Sequence, residues 1–140
     1  MKPPKWALGL TRDVITCLRD QGMQVSLPLV KWRHCFRVNS SGVCRQYYIN
    51  INAGLNRVDA KLVLLHELAH WALPQYNHPD WVLHFNWDTQ SHEGHTPAFW
   101  DLAWNLYRHY KLPIRYCRDR EAEYRKGSVA AYHRSLRKEK

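Results

Sequence analysis

The sequence lacks most of the features that would settle its class at a glance. No apolar run approaches the roughly 18 residues that a membrane span needs, and the opening MKPPKWALGL has two prolines where a secretory signal would carry an apolar segment. A cytoplasmic chain that does not enter a membrane is therefore expected. The four cysteines, Cys17, Cys35, Cys44 and Cys117, form no C-x-x-C pair, which argues against a zinc ribbon or zinc finger. Cys35 and Cys44 are the pair that a hairpin would bring together, but in a cytoplasmic chain of this size reduced thiols are the expectation. There is no glycine-rich phosphate loop, no serine elbow and no internal repeat. Nucleotide-dependent chemistry, serine hydrolysis and solenoid architectures have nothing to rest on.

What remains is a globular composition. The chain has 140 residues, 45% of them hydrophobic, with seven tryptophans and eight tyrosines, enough for one packed domain across residues 1–140 and against disorder throughout. A monomer is expected. The net charge of +9 is unevenly spread. Residues 1–60 hold nine cations and three anions, residues 61–107 one cation and five anions, and residues 108–140 eleven cations and four anions. Basic flanks around an acidic centre make nucleic acid, DNA included, or an acidic protein a candidate partner.

The local pattern predicts an α+β chain. Residues 1–10 read as an irregular lead, with Trp6 and Leu8 tucked onto the body. Thr11 is a candidate N-cap for a helix over 12–21 that Gly22 ends. Strand candidates follow at 25–29, 32–38 and 43–52, with Asn39-Ser40-Ser41-Gly42 as turn residues. In the last of these Tyr47, Ile49 and Ile51 alternate with polar residues, the signature of a half-buried strand. Asn56 and Asp59 then suggest a capped helix over about 58–73, stopped by Pro74. Residues 74–95 form a long connection with a strand candidate at 81–85. Thr96-Pro97 starts another helix, ending near Tyr110. Residues 114–118 read as extended, and 119–138 as a basic last helix, weakened at Gly127-Ser128 and with a mobile end.

The chemistry is concentrated in His66-Glu67-Leu68-Ala69-His70. On a helix the two histidines fall one turn apart on one face, and the glutamate between them approaches the same point in space. The surrounding residues 62–73 are apolar nearly all round, which marks a core helix. Two imidazoles and a carboxylate are costly there unless hydrogen-bonded or bound to a metal. Catalytic zinc takes three protein ligands and leaves one position open. His66 and His70 supply two. His95 is the expected third, because it directly precedes the proline-started helix that would anchor it. Glu93 and His92 are the alternatives, while His78 and His84 read as loop residues.

With these residues the chain resembles the SprT-like zinc metallopeptidases, whose eukaryotic members include the Spartan proteases that act on DNA–protein crosslinks. That family places a strand before HExxH on a helix and, after a variable insert, a third histidine in the form H-G-x-x-[FW]. The counterparts are His66–His70 and His95-Thr96-Pro97-Ala98-Phe99, within a likeness covering about residues 47–106. Thr96 stands where the family has glycine, and the cysteines of the family's C-terminal zinc ribbon have no counterpart. The resemblance implies a small zincin-like domain, with a short mixed or antiparallel sheet of about three strands packed on the HExxH helix and further helices. It implies one zinc per chain on His66, His70 and His95, with Glu67 as general base and acid in peptide-bond hydrolysis rather than as a ligand. A strand edge beside the metal would hold an extended peptide substrate. Tyr107, Tyr110, Arg115 and Tyr116 are candidate oxyanion donors, among which the sequence does not choose.

Overall fold

The computed structural model describes residues 2–34, 42–44, 48–73, 85–86, 91–92, 96–121 and 125–138. The fold is α+β and mostly helical, and its contacts divide it into two compact units, Met1–Gln75 and Tyr76–Lys140. No helix among the described residues is long and apolar enough to cross a membrane.

The first unit opens with α1, Lys5–Asp20. This helix starts seven residues earlier than its sequence suggested, because Pro4 supplies the extended N-cap (φ −65°, ψ 154°) that the double proline had disguised as an irregular lead. Thr11 is not a cap. It lies inside the helix, buried, and its hydroxyl donates to the Ala7 carbonyl one turn back at 2.7 Å. The far end closes as expected at Gly22, whose φ of 92° allows its N–H to reach Arg19 O (2.9 Å) while Met23 N–H reaches Leu18 O (3.0 Å). This pairing satisfies carbonyls that the helix end would otherwise leave open.

The three strands β1 (Leu29–Arg33), β2 (Gly42–Cys44) and β3 (Tyr48–Asn52) follow. The pairing differs from a run of hairpins. β1 and β3 form a parallel ladder, with Val30 opposite Ile49 and Trp32 opposite Ile51, and β2 adds three residues antiparallel to the other side of β3. The stretch read as one strand over 43–52 is thus two strands of a hairpin. Within the strands expected at 25–29 and 32–38 the described residues form one strand, β1, and residues 35–38, Cys35 among them, lie outside the described residues. Among the described residues Cys17 and Cys44 are half-buried and Cys117 is buried.

Val30, Trp32, Ile49 and Ile51 are all buried and share one face of the sheet, as their two-residue spacing requires. α2, Arg57–Ala72, packs on β2 and β3, and α1 packs on α2. Gly42 shows how close the helix comes: a Cβ there would lie 2.6 Å from Val63 Cγ1 and 3.2 Å from Asn50 O. Glycine is the residue that this contact permits. Trp71 ties the preceding loop to the same helix by donating Nε1–H to Ser26 O at 2.7 Å.

In the second unit a two-residue ladder pairs β4 (Phe85–Asn86) with β5 (Ser91–His92); of the strand expected over 81–85, Phe85 falls in β4 and residues 81–84 lie outside the described residues. Helix α3, Pro97–His109, starts as anticipated, with Thr96 Oγ1 accepting from Phe99 N–H at 3.1 Å and Pro97 in the first turn. It buries Phe99, Trp100, Ala103, Trp104, Leu106 and Tyr107. Residues 114–118 are helical, not extended: Pro113 acts as the N-cap of α4, Ile114–Arg120. Of the last helix expected over 119–138, Asp119 and Arg120 belong to α4, residues 122–124 lie outside the described residues, and α5, Arg125–Lys138, runs through Gly127-Ser128.

α5 has few large apolar residues, with Val129 and Leu136 exposed, yet packs on α3 through a stripe of small ones. Ser128, Ala131 and Ser135 are each at most 3% exposed and recur at helical spacing. The two serine hydroxyls accept Trp104 Nε1–H (3.2 Å) and Arg108 Nε–H (2.7 Å), which ties α5 to α3 by polar as well as apolar contact.

Candidate metal centre

α2 is where the sequence placed its chemistry, and its start is held by a reciprocal cap. Asn56 Oδ1 accepts Asp59 N–H at 2.9 Å, and Asn56 Nδ2 donates back to Asp59 Oδ2 at 3.1 Å. Such a cap contributes about 1 kcal/mol. The helix that follows is buried on almost every side, with Leu62, Leu64, Leu65, Leu68, Ala69 and Trp71 at most 8% exposed.

Into this apolar rod the sequence inserts His66, Glu67 and His70. The two histidines are half-buried and their ring centroids lie 5.0 Å apart, inclined at 65°. Glu67 is only 7% exposed. One ligand atom from each of the three, an imidazole nitrogen or a carboxylate oxygen, falls within 4.8 Å of the other two. Val63 completes the same face one turn earlier, and Val63 is the side chain against which Gly42 of β2 is pressed. The site therefore continues a face of α2 whose earlier turn carries β2.

This donor set suits zinc. Two imidazole nitrogens are borderline donors of the kind that ion accepts, with a carboxylate beside them for proton transfer, whereas magnesium and calcium ask for oxygen donors. A third protein ligand is still needed. His95 and its alternative Glu93 lie outside the described residues, as do His78 and His84, and His92 is described only as a backbone position of β5.

Two expectations about substrate handling change. β3 is the middle strand of its sheet, paired on both sides, so it offers no edge to an extended peptide; the edges belong to β1 and β2. Among the candidate oxyanion donors, Tyr107 is fully buried and its hydroxyl donates to Glu121 Oε1 at 2.5 Å, which commits its proton elsewhere. Tyr116 has a buried hydroxyl without a hydrogen-bond partner among the described residues, Tyr110 is half-buried and Arg115 is exposed.

Glu121 itself was not anticipated. It is 4% exposed although it stands in a run of charged residues, and no local periodicity marks it as different from Asp119. Together with burial, its charge pushes the nearby Cys117 thiol up to about 12, burial being the larger cause.

No protein-family model, no curated protein and no solved structure matches the chain.

Proposed function

We propose that the chain is a zinc-dependent endopeptidase of the SprT-like, zincin type. One observation carries this reading: His66, Glu67 and His70 meet within 4.8 Å on a single turn of a buried helix. A carboxylate that is 7% exposed and flanked by two half-buried imidazoles has little structural use in an apolar helix and an evident chemical one. The sequence resemblance through His95 and Phe99 points the same way.

Each residue has a separate task. His66 and His70 are two of the metal's ligands, with His95 proposed as the third. When bound, zinc supplies Lewis acidity toward the carbonyl of a peptide bond. Glu67 does the proton work. It accepts a proton from the attacking water as the new carbon–oxygen bond forms, and delivers it to the amine nitrogen as the carbon–nitrogen bond breaks. Its burial favours this role, because a carboxylate held by the packing of α2 stays aimed at the reacting atoms.

The test compares wild type with Glu67→Gln for metal content and for cleavage of an unfolded protein such as casein. About one zinc per chain in both proteins, with cleavage confined to wild type, is the expected result. Zinc retained by wild type without cleavage of unfolded, folded or DNA-crosslinked protein would refute the peptidase reading and leave a structural metal site.

A further inference from the structure

The sheet of the first unit has two faces, and the core accounts for one. On the other, the parallel register sets Leu29 beside Tyr48, Lys31 beside Asn50 and Arg33 beside Asn52. Leu29 is 61% exposed, Arg33 is exposed, and Lys31, Tyr48 and Asn50 are half-buried. No carboxylate belongs to this part of the chain. From Gln21 to Val58 there is no aspartate or glutamate, against Lys31, Arg33, Arg37, Arg45 and Arg57. Ordinary sequences mix both signs over such a length, since about a quarter of residues are charged.

The chemistry of this face is more specific than its charge. Lys31 Nζ sits 4.0 Å from the centroid of the Tyr48 ring, which joins a cation and a π-face in one unit. Asn50, in the middle strand, has a buried side-chain oxygen with no hydrogen-bond partner among the described residues. Cations for phosphates, a ring for a base and an amide for a base edge are the three elements of single-strand recognition. Three cations of the second unit are differently placed. Arg134 binds Asp101 at 2.7 Å, Arg108 binds Ser135 at 2.7 Å, and Arg118 lies 3.9 Å from Asp119. Lys31 and Arg33 face no carboxylate among the described residues.

The geometry points to the outer face of this sheet as a binding surface for single-stranded nucleic acid, separate from the histidine cluster. Two five-residue strands with a three-residue strand at one side give a face of roughly 16 Å by 10 Å at its widest, room for two or three nucleotides. Phosphates take Lys31 and Arg33. As Lys31 turns to a phosphate it uncovers the Tyr48 ring, which takes an unpaired base, and Asn50 meets the edge of a neighbouring base. A duplex keeps its bases stacked internally, so it would engage the cations alone and leave Tyr48 and Asn50 unused. The inference does not depend on the peptidase reading.

Fluorescence anisotropy of the full chain with a labelled 20-nucleotide oligothymidylate, a duplex of equal length and heparin as competitor tests it. Wild type is expected to prefer the single strand. Lys31→Gln with Arg33→Gln should weaken binding about tenfold or more and lower the log–log salt slope by about 1.4. Tyr48→Ala should cost about fivefold to a hundredfold. Arg137→Gln with Lys138→Gln should stay within about twofold of wild type on the same scale. Preference for duplex or heparin, or equal losses from the sheet and tail variants, would overturn the proposal. Ultraviolet crosslinking of oligothymidylate to wild type keeps the test sound if a variant misfolds. Adducts on peptides containing residues 29–33 or 48–52 support the surface, and adducts confined to other segments remove it.

Discussion

The imidazole rings of His66 and His70 lie 5.0 Å apart between centroids, one turn apart on α2, with Glu67 beside them at 7% exposure. Four-residue spacing brings two side chains together on any helix. What distinguishes this pair is its setting: the same helix buries Leu64, Leu65, Leu68 and Ala69 completely. The rigid, packed support is what a metal site needs from its scaffold.

Metal should therefore stabilise the fold as well as serve chemistry. An ion bound only by the native state at about 100 times its dissociation constant adds about 2.7 kcal/mol, a rise of roughly 5–10 °C in Tm for a chain of this size. Thermal melts with and without zinc are expected to show that rise for wild type and for Glu67→Gln, and to lose it for His66→Ala with His70→Ala. An equal rise in the double-histidine variant would place the metal elsewhere.

Gly42→Ala is expected to destabilise the first unit by about 1–3 kcal/mol, the usual range for overpacking. The added Cβ would fall 2.6 Å from Val63 Cγ1 and 3.2 Å from the Asn50 carbonyl oxygen. Val63 can be trimmed, whereas the Asn50 carbonyl is backbone. Val63→Ala in the same chain should then recover part of the loss, and a double-mutant cycle by urea denaturation measures the coupling. Additivity of the two changes would mean that strand and helix are not in contact at this point.

The elements around the site were largely legible because their ends carry local chemistry. Asn56 with Asp59, and Thr96 with Pro97, put hydrogen-bonding side chains at the two helix starts where backbone N–H groups need them. Alternation of Ile49 and Ile51 with polar neighbours marked β3 for the same reason. Where reading failed, the deciding contact was distant or ambiguous. Pro4 stands in a stretch that reads as an irregular lead and Pro113 before one that reads as extended, yet each caps the start of a helix, since proline's fixed φ serves both. Thr11 has the chemistry of a cap but bonds back to Ala7 inside α1. Strand direction is not written in alternation at all: Val30 and Trp32 meet Ile49 and Ile51 in parallel, and an antiparallel ladder would bury the same residues. The buried carboxylate of Glu121 depends on Tyr107, fourteen residues away and on another helix.

Lys111 offers a gain in stability. It is the one non-glycine residue with positive φ among those described (58°), and it stands just past the C-cap of α3. Its N–H reaches Arg108 O at 3.1 Å while Leu112 N–H reaches Tyr107 O at 3.0 Å, the closing pattern that favours glycine at the left-handed position. Lys111→Gly should raise stability by about 0.5–1 kcal/mol, the steric relief of roughly 1–2 kcal/mol being partly offset by the greater freedom of glycine when unfolded. Chemical denaturation reads this directly, and a lower midpoint would show that the lysine side chain makes a compensating contact.

Cys117 gives the fold a limit on its alkaline side. The thiol is fully buried, and burial together with the Glu121 charge raises it from an ordinary 9.0 to about 12. Below pH 9 it is protonated whether the chain is folded or not, so it costs the native state nothing. Between pH 9 and 12 the unfolded chain loses this proton while the folded chain retains it, and stability declines as pH rises. Cys117→Ala should flatten the slope of unfolding free energy against pH in that window, even though the cavity it leaves lowers stability at pH 7. The same burial governs reactivity. At pH 8 iodoacetamide should modify the half-buried Cys17 and Cys44 of the native protein well before Cys117, and urea should abolish the difference. Rapid labelling of Cys117 in the native state would show instead that the packing of α3, α4 and α5 around Glu121 opens readily, and the alkaline slope would disappear with it.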